Sequence, residues 1–158
     1  MQRQKTLRLG LFLLPMLLLM VMLISTTAFA AEPDFTGYTA ISTKEQLNAV
    51  RNNLSGKYYL TKNIVFEESD FAKGSAFYNN GTGWEPIGTS YSNSFTGIFD
   101  GNGHTITGLK QNISANENVY GGLFGYVSGG TIQKLGMVDS EIAVTTSSGT
   151  ANVGGIVG

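Results

Sequence analysis

The stretch FDGNGHTITGL, from Phe99 to Leu109, gathers Asp100, Gly101, Asn102, Gly103 and His104, the chain's only histidine. Residues of these types at this spacing could form a calcium loop, a phosphate cradle, a catalytic corner or a sharp turn. A helix–loop–helix calcium loop needs oxygen ligands at positions one, three and five, glycine at six and a bidentate Glu at twelve. Counted from Asp100, position five is His104, position six is Thr105 and position twelve is Gln111, so that reading fails. A dinucleotide fingerprint needs a third glycine where Ile106 stands, and a helix after it. Asp-Gly and Asn-Gly pairs favour positive φ and sharp changes of direction, so Asp100-Gly101 and Asn102-Gly103 are read as a turn. A local hairpin and a corner between stacked strands are the two geometries the pattern allows. A single histidine excludes a His-rich catalytic zinc site, and the H-E-x-x-H of a zinc protease is absent.

Carboxylates are the next candidates. Glu67, Glu68 and Asp70 share one polar segment, and Asp139 and Glu141 sit two apart, a spacing that puts both on one face of a strand. A glycoside hydrolase needs paired carboxylates, and a polysaccharide lyase needs several acids with an Arg or Lys base. The first three acids are read as solvated and the second pair as an exposed strand edge. Arg51, the sole arginine after the first thirty residues, lies on an expected helix rather than beside them. No catalytic residue, no cofactor and no metal ligand is expected. Binding is open: Tyr58, Tyr78, Trp84, Tyr91 and Tyr120 could stack on sugar rings, although Trp84 is expected to pack against the core. Three Asn-x-Ser/Thr sequons, at Asn53, Asn80 and Asn112, matter only where a glycosylation apparatus is present.

The elements that would position these residues are mostly β. Charged residues make up 13% of the chain, against ~25% in an ordinary soluble domain, and 21 residues are glycine. Such a composition, with abundant Ser, Thr, Asn, Ile, Val and Phe, favours extended structure over helix. One helix is expected over STKEQLNAVRNNLSG, with Ser42 and Glu45 as a capping box, Leu47, Val50 and Leu54 inward, and Gly56 as a left-handed stop. KYYLTKNIVF reads as strands broken at Thr61-Lys62-Asn63, Glu67 to Gly83 as a polar loop, and Phe95 to Asp100 as a strand alternating inward and outward. There is no cysteine, so no disulfide staples the fold.

The first thirty residues read as a secretory signal. Arg3, Lys5 and Arg8 precede the apolar run Leu11 to Ile24, and Ala28-Phe29-Ala30 supplies the small-x-small site, placing cleavage between Ala30 and Ala31. Uncleaved, the segment would be a membrane anchor, the one membrane contact considered. Residues 31–158 carry seven basic and eleven acidic side chains, a formal charge of 7 − 11 = −4, which offers no electrostatic footprint for nucleic acid.

Repetition carries the fold reading. GGLFG at 121–125 returns as GGIVG at 154–158, an offset of 155 − 122 = 33 residues. Short β-rich runs with glycine at the corners and a period in this range point to stacked supersecondary units, each needing its neighbour to bury its apolar face.

In this order, YYLTKNI, GWEPIG, FTGIFDGNGHTITGL, GGLFGYVSGGTIQKLGMVDSEI and GGIVG, the chain resembles the GLUG-repeat proteins of bacterial surfaces, whose module also occurs in the N-terminal regions of IgA-specific metalloproteases. Gly122-Leu123-Phe124-Gly125 matches the motif, and Gly155-Ile156-Val157-Gly158 departs from it by Ile for Leu. The resemblance implies a right-handed parallel β-helix and surface display; of the metalloproteases it covers only the non-catalytic module. The chain is therefore expected to be a mostly β, exported structural or adhesive surface module over residues 31–158, with host or cell-surface glycans or proteins as partners. Because GGIVG begins a unit that no polar cap follows, a longer parent protein is expected. The alternative is a carbohydrate-active or carbohydrate-binding β-helix whose active residues lie beyond Gly158.

Overall fold

The computed structural model describes residues 33–158; the expected signal segment and its expected cleavage site at Ala28, Ala30 and Ala31 lie outside them. Eleven short strands dominate this part. Strands β1 (Thr39–Ile41), β2 (Lys57–Leu60), β4 (Ile98–Asp100) and β8 (Thr131–Gln133) form one sheet in the order β1-β2-β4-β8. Strands β3 (Ile64–Val65), β5 (Thr105–Thr107) and β9 (Gly136–Val138) form a second, in the order β3-β5-β9. Strand β6 (Lys110–Ala115) pairs with β10 (Glu141–Thr146), and β7 (Val119–Gly121) with β11 (Ala151–Val153). Every pairing between these strands is parallel.

Parallel neighbours cannot be joined by a tight turn, so each pairing needs a long return of the chain. The first return is short, 58 − 39 = 19 residues from Thr39 to Tyr58, and the later ones are longer. Asn102 reaches Leu60 and Thr105 reaches Asn63 across 42 residues. One pass later the separation is 33 from Asp100 to Gln133, 32 from Asn118 to Thr150 and 31 from Asn116 to Ser147. Strands β4 and β5, on either side of the FDGNGH stretch, belong to different sheets. The segment is therefore a corner, and the hairpin alternative is removed.

Between β1 and β2 lies helix α1 (Lys44–Asn48), continued by a 3-10 turn over Ala49–Asn52. Its start differs from the expected Ser42/Glu45 box by one residue. Thr43 is the N-cap, and its hydroxyl accepts from the Gln46 N–H at 3.2 Å. The Gln46 side chain in turn accepts from the Ser42 N–H at 2.7 Å. Gln reaches the preceding backbone as well as Glu does, so two adjacent capping residues made the register ambiguous. Leu47 and Val50 are fully buried, beside Ile41 and Leu60 in the core. Gly56 is not a left-handed stop, since positive φ is absent there. It is bare because a Cβ would stand 2.5 Å from the Tyr58 hydroxyl, which donates to the Asn53 carbonyl at 2.8 Å.

Inward residues stack from pass to pass. Ile64, Ile106 and Met137 share one register, and Tyr58, Phe99 and Ile132 another. Fully burying each such side chain contributes about 1.5–3 kcal/mol. The Glu67 to Gly83 segment is less polar in effect than its composition implies. Phe77 is buried and Phe71 packs on the core, with Phe77 edge-on to Phe66 at 5.2 Å. Burial weakens in the last pass, where Val138, Val153 and Val157 are 40%, 49% and 40% exposed.

Candidate functional site

The two glycine signatures lie directly over one another. Phe124 pairs in parallel with Val157; the N–H groups of Leu123 and Phe124 donate to the carbonyls of Gly155 and Ile156 at 3.1 and 2.9 Å. A third level, not recognised as a repeat in the sequence, lies on the other side. Ile87 pairs in parallel with Phe124, the Ile87 N–H donates to Leu123, and the Gly125 N–H donates to Ile87, both at 3.0 Å. Glu85-Pro86-Ile87-Gly88 thus lies in register beside the first of the two signatures. Only the apolar-Gly ending is shared, and the offset is 37 rather than 33 (124 − 87 = 37), which hid it. Gly125 must be bare: a Cβ would stand 2.5 Å from the Gly88 carbonyl oxygen and 2.9 Å from Pro86.

Beneath this stack is a buried polar network that the residue pattern did not reveal. Gln111 is 2% exposed. Its amide nitrogen donates to the Trp84 carbonyl at 2.8 Å and its amide oxygen accepts from the Gly122 N–H at 2.9 Å. Trp84, buried as expected, donates its indole N–H to the Leu123 carbonyl at 3.1 Å. These bonds tie adjacent levels of the signature together and satisfy polar backbone that burial would otherwise make costly. The position that lacked a calcium-binding Glu is occupied by a structural carboxamide.

At the corner, positive φ is confined to Asn102 (51°) and Gly103 (79°), with the His104 N–H closing the turn on Gly101 at 2.8 Å. Asp100 and Gly101 take ordinary φ values. Asp100 is buried instead, accepting from the Asn102 N–H and from Gln133 Nε2, each at 2.7 Å, with Lys134 at 3.8 Å. Gly101 is needed for space, because a Cβ there would meet the Lys134 carbonyl oxygen at 2.4 Å. Asn63 Oδ1 lies 3.2 Å from His104 Nδ1 and accepts from the Thr105 N–H at 3.1 Å. The corner side chains are occupied in joining three successive passes.

Three of the other carboxylates, Glu68, Asp70 and Glu141, pair with lysines. Asp139 and Glu141 do not share a strand: Asp139 has φ 48° in the break before β10, while Glu141 begins β10. Glu141 lines an open cleft of about 270 Å³ with Lys110, Gln111 and Thr82; Asp139 lines a different one with Met137 and Ile142. Lys110 bridges Glu68 at 2.5 Å and Glu141 at 3.5 Å, and hydrogen bonding to Glu68 raises its ammonium pKa above the ordinary value. Asp70, expected to be merely solvated, pairs with Lys44 at 2.5 Å and accepts from the Glu67 N–H at 2.7 Å. Arg51 lies over the Trp84 ring at 5.2 Å and binds Glu85 at 3.1 Å. Among the described residues, no three His, Cys, Asp or Glu side chains are grouped as metal ligands.

Of the candidate aromatics, Tyr58 and Trp84 are buried, Tyr78 and Tyr120 are half-buried and Tyr91 is 77% exposed. Tyr91 stands edge-on to Tyr126 at 6.1 Å, and Tyr126 edge-on to Tyr120 at 5.2 Å. Tyr126, not singled out in the sequence, is the middle of that array.

No helix among the described residues is long and apolar enough to cross a membrane. No family model matches the chain, and no solved structure matches it significantly. The chain is similar to halomucin of Haloquadratum walsbyi, at 35% identity over 109 residues, which covers 66% of this chain and 1% of halomucin. It is also similar to a Gly-rich membrane protein of Evansella cellulosilytica, at 33% identity over 120 residues, 75% of this chain and 13% of that protein. The chain thus spans only a small part of the length of the curated relatives it matches.

Proposed function

We propose that residues 31–158 form a stretch of right-handed parallel β-helix of the GLUG-repeat type, exported and displayed at the cell surface as a structural or adhesive module without catalysis of its own. One observation carries the reading: Ile87, Phe124 and Val157 occupy one parallel register in three consecutive levels. Such a stack extends by adding like units, which suits a scaffold that holds something away from a surface. Four of the acids, Asp70, Asp100, Glu68 and Glu141, act as braces, since each faces a lysine. Similarity to halomucin and to a Gly-rich membrane protein supports a surface or membrane-associated setting.

The test combines location and turnover. Intact expressing cells treated with a membrane-impermeant amine reagent should label the chain, and polysaccharides incubated with it should release no reducing ends. Labelling only after lysis contradicts the surface assignment, and released reducing ends contradict the absence of catalysis.

A further inference from the structure

Resting on the reading of a displayed module, we infer that Tyr91, Tyr126 and Tyr120 form a binding platform for uncharged polysaccharide. The platform is built by the signature glycines. Gly88 takes φ 73°, and a Cβ there would meet the Tyr126 carbonyl oxygen at 2.5 Å and the Asn93 carbonyl oxygen at 3.2 Å. Its bareness lets the Tyr126 backbone sit against Gly88 and Phe95 of the neighbouring pass. The Tyr126 N–H donates to Gly88 at 2.8 Å, and its carbonyl accepts from Phe95 at 2.9 Å. Tyr120 is held by its place in β7, where it pairs in register with Asn152 of β11. Two of the three tyrosines are therefore fixed through the main chain.

Tyr91 is held out on purpose-built structure. Residues 89–93 form a small loop between Gly88 and Phe95, two residues that clasp Tyr126. Thr89 N–H donates to the Asn93 carbonyl at 3.0 Å, Asn93 N–H to Ser90 at 3.1 Å, and the Asn93 amide to the Thr89 hydroxyl at 3.0 Å. The Ser90 and Ser92 hydroxyls are 3.2 Å apart. A loop braced in this way presents its tip aromatic with little conformational freedom left to lose on binding. Packing does not need that ring, which is 77% exposed.

The chemistry of the patch selects its ligand. Tyrosine offers a broad apolar face and a hydroxyl at low entropic cost, matching the C–H face and hydroxyl rim of a pyranose. Successive rings meet at 85° and 83°, so they present differently oriented faces to consecutive sugar units. The side chains gathered here, Tyr91, Tyr120, Tyr126, Thr89, Ser90, Ser92 and Asn93, carry hydroxyls and a carboxamide but no formal charge. A uronate or sulfated chain would find no cation among them, whereas a neutral hexose polymer would leave no charge unpaired.

Affinity electrophoresis of the full chain through gels containing hydroxyethylcellulose, laminarin, galactomannan or polygalacturonate tests this. Retardation is expected in at least one neutral gel, with no retardation by polygalacturonate. Tyr91→Ala and Tyr126→Ala should each weaken that binding by about tenfold, equivalent to about 1.4 kcal/mol, and Tyr78→Ala, outside the array, should not. Tyr91→Ala alters an exposed side chain, so its effect is separable from any folding defect in Tyr126→Ala. Migration unchanged in all neutral gels, retardation indifferent to Tyr91→Ala, or preference for polygalacturonate each overturns the platform. None of these results bears on surface labelling of intact cells, so the platform can fail while the display reading stands.

Discussion

The Gln111 side chain spans two levels of the stack, taking the Gly122 N–H at 2.9 Å and giving its own amide to the Trp84 carbonyl at 2.8 Å. Both contacts are fully buried, and Trp84 closes the circuit by donating to Leu123. In a fold made of short sheets, this side chain does what a longer ladder of backbone bonds does elsewhere. Gln111→Leu keeps similar volume but leaves the Gly122 N–H and the Trp84 carbonyl unpaired. A loss of about 2–4 kcal/mol is expected, read as a lower urea midpoint with unchanged slope.

Signature glycines are not equivalent, and the difference is measurable. A Cβ at Gly125 would collide with the backbone of Gly88, whereas one at Gly155 would meet nothing within 4 Å. Gly125→Ala should therefore cost about 3 kcal/mol, and Gly155→Ala less than about 0.5 kcal/mol. Equal effects in thermal or denaturant unfolding would show that the glycines act through chain flexibility and not through close approach.

The corner is a turn whose demands fall on one non-glycine residue. Asn102, at φ 51°, accepts a conformation that costs most L-residues about 1–2 kcal/mol. Asn102→Ala should lose about 1–2 kcal/mol and Asn102→Gly less than about half of that, provided the 3.3 Å contact to the Leu60 carbonyl contributes little. Comparable loss in both variants would assign the stability to that contact instead.

Acid sensitivity should be traceable to Asp70. Burial alone would raise its carboxyl pKa, but the Glu67 N–H and the Lys44 ammonium outweigh it and hold the group below its ordinary value. A depressed folded-state pKa stabilises the fold above the unfolded value, about 3.9, and that contribution is lost as pH falls through the folded value. Asp70→Asn should therefore lower the melting temperature at pH 7, with the gap to the parent narrowing as pH falls below the ordinary carboxylate range. A gap that does not narrow on acidification would mean the residue acts by packing.

Much of the fold was legible because strand formation follows local chemistry. The runs on either side of the Thr61-Lys62-Asn63 break became β2 and, over Ile64–Val65, β3, and Trp84 went inside as its size dictates. What escaped depends on which passes become neighbours. Nothing local marks Gln111 as buried until β6 is laid beside Trp84. Glu85-Pro86-Ile87-Gly88 resembles the later signatures only once the loop at 89–93 and the longer Glu67 to Gly83 segment are discounted. Asp139 and Glu141 had strand spacing, but φ 48° at Asp139 turns the chain between them. Nothing local marks Tyr126, because its value lies in its ring contacts with Tyr91 and Tyr120.

Parallel stacking in this register is best tested by cross-linking, since the chain has no cysteine of its own. Asn112 and Ala143 are register partners on β6 and β10, and both are exposed. The double variant Asn112→Cys/Ala143→Cys should form a disulfide readily under mild oxidation, because adjacent strands hold their Cα atoms within the span a disulfide accepts. Asn112→Cys/Thr145→Cys, two residues out of register on the same face, should stay reduced under the same conditions. Closure of the second pair in preference to the first would contradict the stack.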